Sequence, residues 1–374
     1  MVERARTGPL SGVRVVEVGG IGPGPFAAMM LADLGADVVR VDRPGEDLRA
    51  THAVLLRGRR SVVLDLKSDL GRKAVLALAD RSDVLLEGFR PGVMERAGLG
   101  PDVVLARNPR LVYGRMTGWG QDGPYAAQAG HDLTYLAVSG ALSTFAGPDG
   151  RPVPPLNLLG DFGGGGMLLA LGVVSALWSA RATGDGQVVD AAIVDGVASM
   201  TAMHQAMLAS GLWGAPPGHN LFDGGAPFYR CYRTSDDRWM AVGAIEPVFY
   251  ARVVEGLGLP ADLVAPQQDA ASWPEVSRLF EERFADRSRD EWVDEFAGRD
   301  ACVAPVLSGS EAARDPHLVA RGTYQAPPEA DAGPVQPGPA PRFSATPAQA
   351  GHPTDSPGRD TGAVLRELDL GSWD

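Results

Sequence analysis

The chain has 374 residues, of which 45% are hydrophobic and 21% charged, so it has enough apolar material for a large core and room for two domains. This composition excludes disordered and fibrous proteins. The formal net charge of -12 argues against nucleic acid as a general partner, because phosphate backbones favour basic protein surfaces.

The first part of the chain alternates short apolar runs with helical stretches. Strand candidates lie at 13–18, 36–41, 61–64, 83–86 and 111–113. Residues 26–34 and 71–79 favour helices between them, which makes the opening a βαβ unit. We therefore predict an α/β fold with a Rossmann-like, mostly parallel sheet and covering helices.

The loop after the first strand resembles a dinucleotide-binding fingerprint. Gly22 and Gly24 could admit a pyrophosphate, and Asp42 stands where an acid would bind the ribose. Pro23 and Pro25, however, remove two backbone donors from the loop that should cradle the pyrophosphate. An NAD-dependent dehydrogenase is thus a minor alternative, and a tight turn without a ligand explains the loop about as well.

Basic residues are concentrated between Arg40 and Arg96, where twelve of them stand against nine acids. Such a patch could hold a polyanionic group, such as the phosphates of a nucleotide or of coenzyme A. Most of these side chains are expected on solvated helix faces. Arg43 and Arg90 are the better candidates, because they follow strands, where a parallel sheet presents its ligands.

Two side chains in the middle of the chain are candidates for acid–base chemistry. Asp161 precedes four glycines and an apolar helix predicted from Met167, so open amides at this helix start could bind an oxyanion beside the carboxylate. His131 follows a glycine-rich loop, and imidazole titrates near neutrality. A helix-capping aspartate and a structural histidine are equally open from the residues alone. Glu246, after an apolar strand, could orient an imidazole.

The helix after Asp161 is the one candidate transmembrane segment in the sequence. Residues 162–180 carry no charge and approach the ~20 residues that span a bilayer. Four glycines interrupt its start and a core helix explains the rest, so we expect no membrane span. A strand at 187–193 and a helix at 195–210 are predicted to follow.

The pattern changes near residue 220. The runs 228–233 and 238–243 predict a hairpin, and charged amphipathic helices follow at 273–284 and 289–296. These elements predict a smaller α+β domain at 221–320.

The remaining residues are predicted to form one large domain. It comprises residues 1–220 and is completed by a C-terminal arm at 321–374. The proline-rich part of this arm, 327–357, shows no periodicity and is expected to be extended or partly disordered.

The cellular location is predicted from the cysteines and the termini. Cys231 and Cys302 have no metal-ligand spacing, which fits a reducing compartment without disulfides. The first residues lack the apolar stretch of a secretory signal, and the last ones are not a peroxisomal address. We expect a cytoplasmic protein.

Ordered stretches from Pro9 to about Phe343 carry a resemblance to a known family. They include Gly22-Pro23-Gly24-Pro25, Ala36-Asp37-Val38-Val39-Arg40-Val41-Asp42-Arg43-Pro44, Thr117-Gly118-Trp119-Gly120-Gln121, Gly130-His131-Asp132, Gly160-Asp161-Phe162-Gly163-Gly164-Gly165 and Gly243-Ala244-Ile245-Glu246-Pro247. The chain resembles the family III CoA transferases, and within that superfamily it looks most like the racemase branch, whose members act on α-methylacyl-CoA thioesters.

The resemblance implies racemisation of 2-methylacyl-CoA thioesters by 1,1-proton transfer through an enolate. It implies that His131 and Asp161 flank the acyl α-carbon and that Glu246 pairs with the histidine. In the alternative, CoA transfer between carboxylic acids, Asp161 is a nucleophile. Such transferases generally lack a histidine at position 131, which favours the racemase. A non-catalytic CoA-binding protein is a weaker alternative, since it would not require all three side chains.

The resemblance also implies the partners of the chain. CoA enters as part of the substrate, with no metal and no separate cofactor, and the chain forms an interlocked homodimer in which the small domain of one protomer closes the other's site. Glu246 could therefore act across the interface. The implied CoA-binding positions are Ile21, Arg43, Lys67, Arg90, Arg96, Gly120 and Tyr135.

Overall fold

The computed structural model describes residues 7–45, 53–147, 150–325, 335–353 and 356–370. The chain divides into two compact units. The first unit is made of residues 1–140, 155–200 and 316–374, and the second of 141–154 and 201–315. The domain boundaries inferred above from sequence stay predictions.

The first unit is built on a six-stranded, fully parallel sheet with strand order β3-β2-β1-β4-β5-β6. Its strands are β1 Arg14–Val18, β2 Asp37–Asp42, β3 Arg59–Val63, β4 Val84–Glu87, β5 Val112–Thr117 and β6 Val188–Ala192. The predicted Rossmann-like parallel sheet is thereby confirmed. The strand order reverses between β1 and β4, and open α/β sheets bind their ligands beyond the carboxyl ends of the strands at such a point.

Helices cover this sheet, and their bounds follow the sequence patterns closely. The α-helices between β1 and the end of this part of the first unit, at Met200, are α1 Pro23–Asp33, α2 Asp69–Asp80, α3 Val93–Arg96, α4 Pro101–Arg107, α5 Asp132–Val138, α6 Leu168–Thr183 and α7 Ile193–Met200. Pro23 starts α1 at a position where a helix does not use its N–H, and the Ser68 side chain caps α2 by accepting from Gly71 N.

The predicted helix starting at Met167 is wrong at its beginning. Helical turns start earlier, in a π-helical segment at Leu158–Met167 that leads directly into α6. Asp161 therefore lies inside the first turn of a helix. The predicted helix at 195–210 is also two helices, because Thr201, with ψ near 5°, interrupts it.

One helical stretch, Leu158–Thr183, is long and apolar enough to cross a membrane by length and composition, with 39% of its most apolar window buried. A core helix passes the same test, and this one packs on the sheet. A Cβ placed on Gly114 of β5 would lie 3.2 Å from Leu169 and 3.3 Å from Val173.

The second unit contains a three-stranded antiparallel sheet in the order β7-β8-β9. Its strands are β7 Tyr229–Arg233, β8 Trp239–Gly243 and β9 Val303–Pro305, and its helices are α8 Ala202–Ser210, α9 Pro247–Gly256, α10 Trp273–Ala285, α11 Arg289–Phe296 and α12 Gly309–Ala312. The predicted hairpin and both predicted amphipathic helices are present. Buried aromatic rings, among them Tyr232 stacked 5.0 Å from Phe284, fill the core of this unit.

The C-terminal part returns to the first unit through α13 Pro316–Arg321, the strand pair β10 Tyr324–Gln325 and β11 Gln336–Pro337, and α14 Thr361–Glu367. Val364 and Leu365 of α14 are buried in the same core as β1, β2 and β3. The prediction of an extended or disordered arm falls in part on 326–334 and 354–355, which lie outside the described residues.

Candidate active site

A cavity of about 580 Å³ opens in the first unit, beyond the carboxyl ends of the central strands. The loops after β1, β4 and β5 line it, together with the start of α5 and the π-helical segment. Among the sequence candidates, His131, Asp161, Tyr135, Ile21 and Arg90 all lie in its wall. These residues are far apart in the sequence, and the crossover connections of the parallel sheet bring them together at one edge.

His131 is the N-cap residue of α5 and has extended backbone angles, φ -138° and ψ 168°. Thr134 fixes its main chain, because the Thr134 hydroxyl accepts from His131 N at 3.0 Å and donates to His131 O at 2.7 Å. The residue is exposed at the cavity. An imidazole in this position can exchange protons with solvent.

Asp161 lies half-buried in the first turn of the π-helical segment. Asn157 Nδ2 is 3.4 Å from its Oδ2, and a Cβ placed on Gly22 would lie 3.4 Å from the same oxygen. Burial raises the pKa of the Asp161 carboxyl, and the Asp132 carboxylate raises it further, while the Asn157 contact and His131 act in the opposite direction. The carboxyl is thus poised to hold a proton at higher pH than an exposed aspartate.

Asp132, which follows His131, joins the two candidate bases. Its Oδ1 accepts from Asp161 N at 2.7 Å, and its carboxylate also accepts from the backbone of Gly160. Among the amides at this helix start, which we expected to be open to an oxyanion, the Asp161 N–H is therefore not available, because it already donates to Asp132. A Cβ on Gly160 would lie 2.2 Å from Asp132 Oδ1, so position 160 must be glycine for Asp132 to reach these amides.

The glycines after Asp161 serve close packing against two neighbouring helices. A Cβ on Gly164 would lie 2.7 Å from Val197 Cγ2, and one on Gly166 would lie 2.7 Å from both Phe26 and Pro23 O. The π-helical segment can approach α1 and α7 this closely only without side chains. The glycines therefore set the depth at which Asp161 lies.

Tyr135 is buried beneath two glycines of the cavity wall. A Cβ on Gly118 or Gly130 would lie 2.0 Å or 2.5 Å from its ring, and Trp119 packs on it edge to face with ring centroids 4.7 Å apart. Burial and the Asp161 charge raise the pKa of the Tyr135 hydroxyl, and Arg90 lowers it. Tyr135, Arg90 and Asp161 therefore share one electrostatic environment.

The other predicted CoA-binding residues differ in position. Ile21 is 70% exposed at the mouth of the cavity, and Arg90 is exposed in the loop after β4. Among the described residues, four predicted contacts are not part of the cavity lining: Arg43, Lys67, Arg96 and Gly120. The three basic side chains are exposed, while Gly120 is buried and its N–H donates to Thr117 Oγ1 at 2.9 Å. Their roles stay predictions.

Glu246 belongs to the second unit, where it follows β8 as the exposed N-cap residue of α9. Pro247 occupies the first helical position after it. The predicted pairing of Glu246 with His131 stays a prediction.

Sequence reasoning missed a buried ionic network beneath the β1 end of the cavity. Asp42, considered above as the ribose ligand, and Arg40, the first residue of the basic patch, are buried and pair with each other at 2.6 Å. Ser61 Oγ donates to the second Asp42 oxygen at 2.6 Å, so both carboxylate oxygens are engaged. Asp42 therefore cannot serve as the ribose-binding acid of a dinucleotide site. The available signal was the position of Glu17, Arg40 and Asp42 inside apolar strand patterns, which marks charges that must be paired.

The comparisons with known proteins agree with one another. A family model described as CoA-transferase family III matches residues 10–361. Alpha-methylacyl-CoA racemase of Homo sapiens is 49% identical over 339 residues, covering 91% of this chain and 87% of the relative, and that of Mus musculus is 46% identical over 364 residues, covering 96% and 93%. A crystal structure of a CAIB/BAIF family protein from Brucella suis matches with a TM-score of 0.83 at 26% identity, covering 97% of this chain and 100% of that one.

Proposed function

The chain belongs to CoA-transferase family III, and from this membership and its cavity we propose that it is an isomerase that racemises 2-methylacyl-CoA thioesters. The observation that carries the proposal is that His131 and Asp161, from separate elements, line one cavity. Inversion at a carbon needs one group to remove a proton from one face and another to deliver a proton to the opposite face. A base that can exchange with solvent and a carboxyl with a raised pKa suit these roles.

In the proposed reaction, the α C–H bond breaks as one residue takes the proton, and its electron pair passes to the thioester as an enolate. The second residue then gives its proton to the other face of the α-carbon, and the electron pair returns to form the new C–H bond. The reverse reaction exchanges the roles of His131 and Asp161. Each group is expected to contribute ~10²- to 10⁴-fold. Because Asp132 occupies the Asp161 amide, the enolate oxygen requires other donors.

The CoA part of the substrate is proposed to lie along the mouth of the cavity. Ile21 offers an exposed apolar contact there, and Arg90 an exposed cation for charge-assisted bonds to phosphate. Arg43, Lys67 and Arg96 are exposed and are proposed to reach more distant phosphate oxygens. The proposed reaction uses no separate cofactor, since CoA is part of the substrate.

We also propose an interlocked homodimer in which the small domain of one protomer brings Glu246 to the other's site. An apolar stripe on α6 and the residue before it supports this assembly. Met167, Leu171, Val174 and Trp178 recur at helical spacing and are 50%, 61%, 37% and 78% exposed. Such a stripe is typical of a helix that packs on a partner. Sedimentation of the wild-type chain and of Leu171→Glu tests it, with dissociation expected for the variant.

A cytoplasmic location and a role in lipid metabolism complete the proposal. Cys231 and Cys302 are both exposed and form no disulfide, which supports a reducing compartment. Fractionation of cells that produce the tagged chain checks the location.

The alternative within the family is CoA transfer, with Asp161 as nucleophile. The decisive experiment incubates a 2-methylacyl-CoA thioester with the enzyme in heavy water, with and without a free carboxylic acid. Racemase action incorporates deuterium at the α-carbon and inverts it with the thioester alone. Turnover that requires the acid acceptor and leaves the α-hydrogen in place would establish the transferase instead.

A further inference from the structure

We propose that the buried guanidinium groups of Arg59 and Arg40 are positioning residues that hold the β1 loop and through it the carboxylate of Asp161. The β1 loop is defined as residues 19–25, which comprise the connection after β1 and the first residues of α1. The inference rests on the proposed function, in which Asp161 exchanges a proton with the substrate. Neither arginine touches the reacting atoms. Their role is to set the geometry of the cavity wall that does.

Glu17, at the end of β1, lies between the two guanidinium groups. Its Oε1 is 2.7 Å from Arg40 Nη1, and its Oε2 is 2.7 Å from Arg59 Nε in an ion pair without an aligned hydrogen bond. The three side chains are at most 3% exposed. Buried charges are costly unless they are paired in good geometry, so the network has few arrangements available to it.

Both arginines extend from this network to carbonyl groups of the β1 loop. Arg40 Nη2 donates to Gly20 O at 3.2 Å, and Arg59 Nη2 donates to Pro25 O, while Arg59 Nη1 donates to Leu55 O. The loop contains two prolines, which have no N–H to donate, and Gly22 adopts a φ of 69°. Its shape therefore depends strongly on the groups that bind its carbonyls from below.

The β1 loop packs directly against the segment that carries Asp161. A Cβ on Gly165 would lie 3.1 Å from Pro23 Cβ, and one on Gly166 would lie 2.7 Å from Pro23 O. Contacts this close transmit displacement, since packed interiors have little free volume. A shift of the loop released from Arg59 would therefore move Asp161.

Arg57, which lies just before β3, offers a matched control for Arg59. It is as buried as Arg59 and pairs with Asp33 at 2.5 Å, and it donates to Pro337 O at 2.7 Å. Within the described residues, its hydrogen-bond partners are Asp33, Gln336 and Pro337, which lie outside the β1 loop. Arg57→Lys thus removes a buried guanidinium group, as Arg59→Lys does, but leaves the hydrogen bonds to the β1 loop intact.

The test compares Arg59→Lys and Arg57→Lys, which both keep the positive charge. Amide hydrogen exchange is measured over 19–25 and Leu158–Met167, and kcat/KM for racemisation is measured across pH. We expect Arg59→Lys to deprotect both segments, to lower kcat/KM by ~10- to 10²-fold, as misplacement of an active group does, and to move the pH limb of Asp161. Arg57→Lys should leave all three near wild type.

Equal behaviour of the two variants in exchange, rate and pH profile would overturn the proposal. If Arg59→Lys does not fold, Asp42→Asn replaces it. This isosteric change weakens the anchor of Arg40 and the bond from Ser61 but leaves both arginines in place, and the same deprotection is expected in smaller degree. Absence of α-hydrogen exchange by the wild type would refute the proposed function, whereas the amide-exchange comparison would still decide on the loop.

Discussion

The two proposed bases of the cavity are supported in different ways. His131 is exposed at the start of α5, where Thr134 fixes its main chain. Asp161 is half-buried in a π-helical segment that packs without side chains against α1 and α7. Substitutions near His131 should therefore disturb its position little. The position of Asp161, in contrast, depends on how its segment packs against α1 and α7, away from the reacting atoms.

The largest expected effect is on the histidine side. His131→Ala should reduce α-deuterium incorporation by ~10²- to 10⁴-fold, because a positioned acid–base group is lost. The free energy of unfolding should change by less than ~0.5 kcal/mol, since the side chain is exposed. Mass spectrometry of the thioester and denaturant unfolding measure the two quantities.

The exposed His317 on α13 provides the matched control for this variant. His317→Ala should exchange the α-hydrogen at the wild-type rate. Near-normal incorporation by His131→Ala would contradict the two-base assignment.

On the aspartate side, a packing change alone should lower activity. In Gly164→Ala the new Cβ would lie 2.7 Å from Val197 Cγ2 and 2.8 Å from Val197 N, so a helix must move. Overpacking of this kind costs ~1–3 kcal/mol of stability, and kcat should fall with it as Asp161 shifts. Thermal unfolding and deuterium incorporation measure both.

The control for the packing variant is Gly214→Ala, because a Cβ on Gly214 meets nothing within 4 Å. It should match the wild type in stability and rate. If Gly164→Ala also matched the wild type, Asp161 would not depend on the packing of its segment.

The contrast between the two sides also explains what sequence could predict. Apolar runs such as 13–18 and 36–41 predict buried parallel strands because the pattern is local, and these strands are present. His131 and Asp161 stood out through residue type and glycine context. Whether the four glycines face a ligand or pack against neighbouring helices could not be predicted, because the local sequence is the same in both cases.

The roles of Asp132 and Arg59 needed the fold itself. Asp132 accepts from Asp161 N, 29 positions later in the chain, and Arg59 donates to Pro25 O only because β3, β2 and β1 are adjacent. Charged residues within strand patterns are the sequence signal for such pairs, but the pattern does not name the partner.

A smaller effect is expected at the residue that connects the two sides. Asp132→Asn keeps an oxygen that can accept from Asp161 N but loses the charge-assisted bond, which is worth ~1 kcal/mol more than a neutral one. We expect a small loss of stability and a decrease of kcat of about tenfold, since Asp161 is held less firmly. Steady-state racemisation and thermal unfolding test this. An unchanged kcat would show that the bond does not position Asp161.

The smallest effect should appear in the pH profile of the same variant. Burial and Asp132 raise the pKa of Asp161, so the acid limb of kcat/KM, where Asp161 must be ionised to accept a proton, should lie above the ordinary aspartate range. Removing the Asp132 charge removes a repulsion that disfavours ionised Asp161. The limb should therefore move to lower pH in Asp132→Asn. A shift to higher pH would mean that the Asp161 segment has closed further around the carboxyl, and that its support, more than the charge beside it, controls its proton affinity.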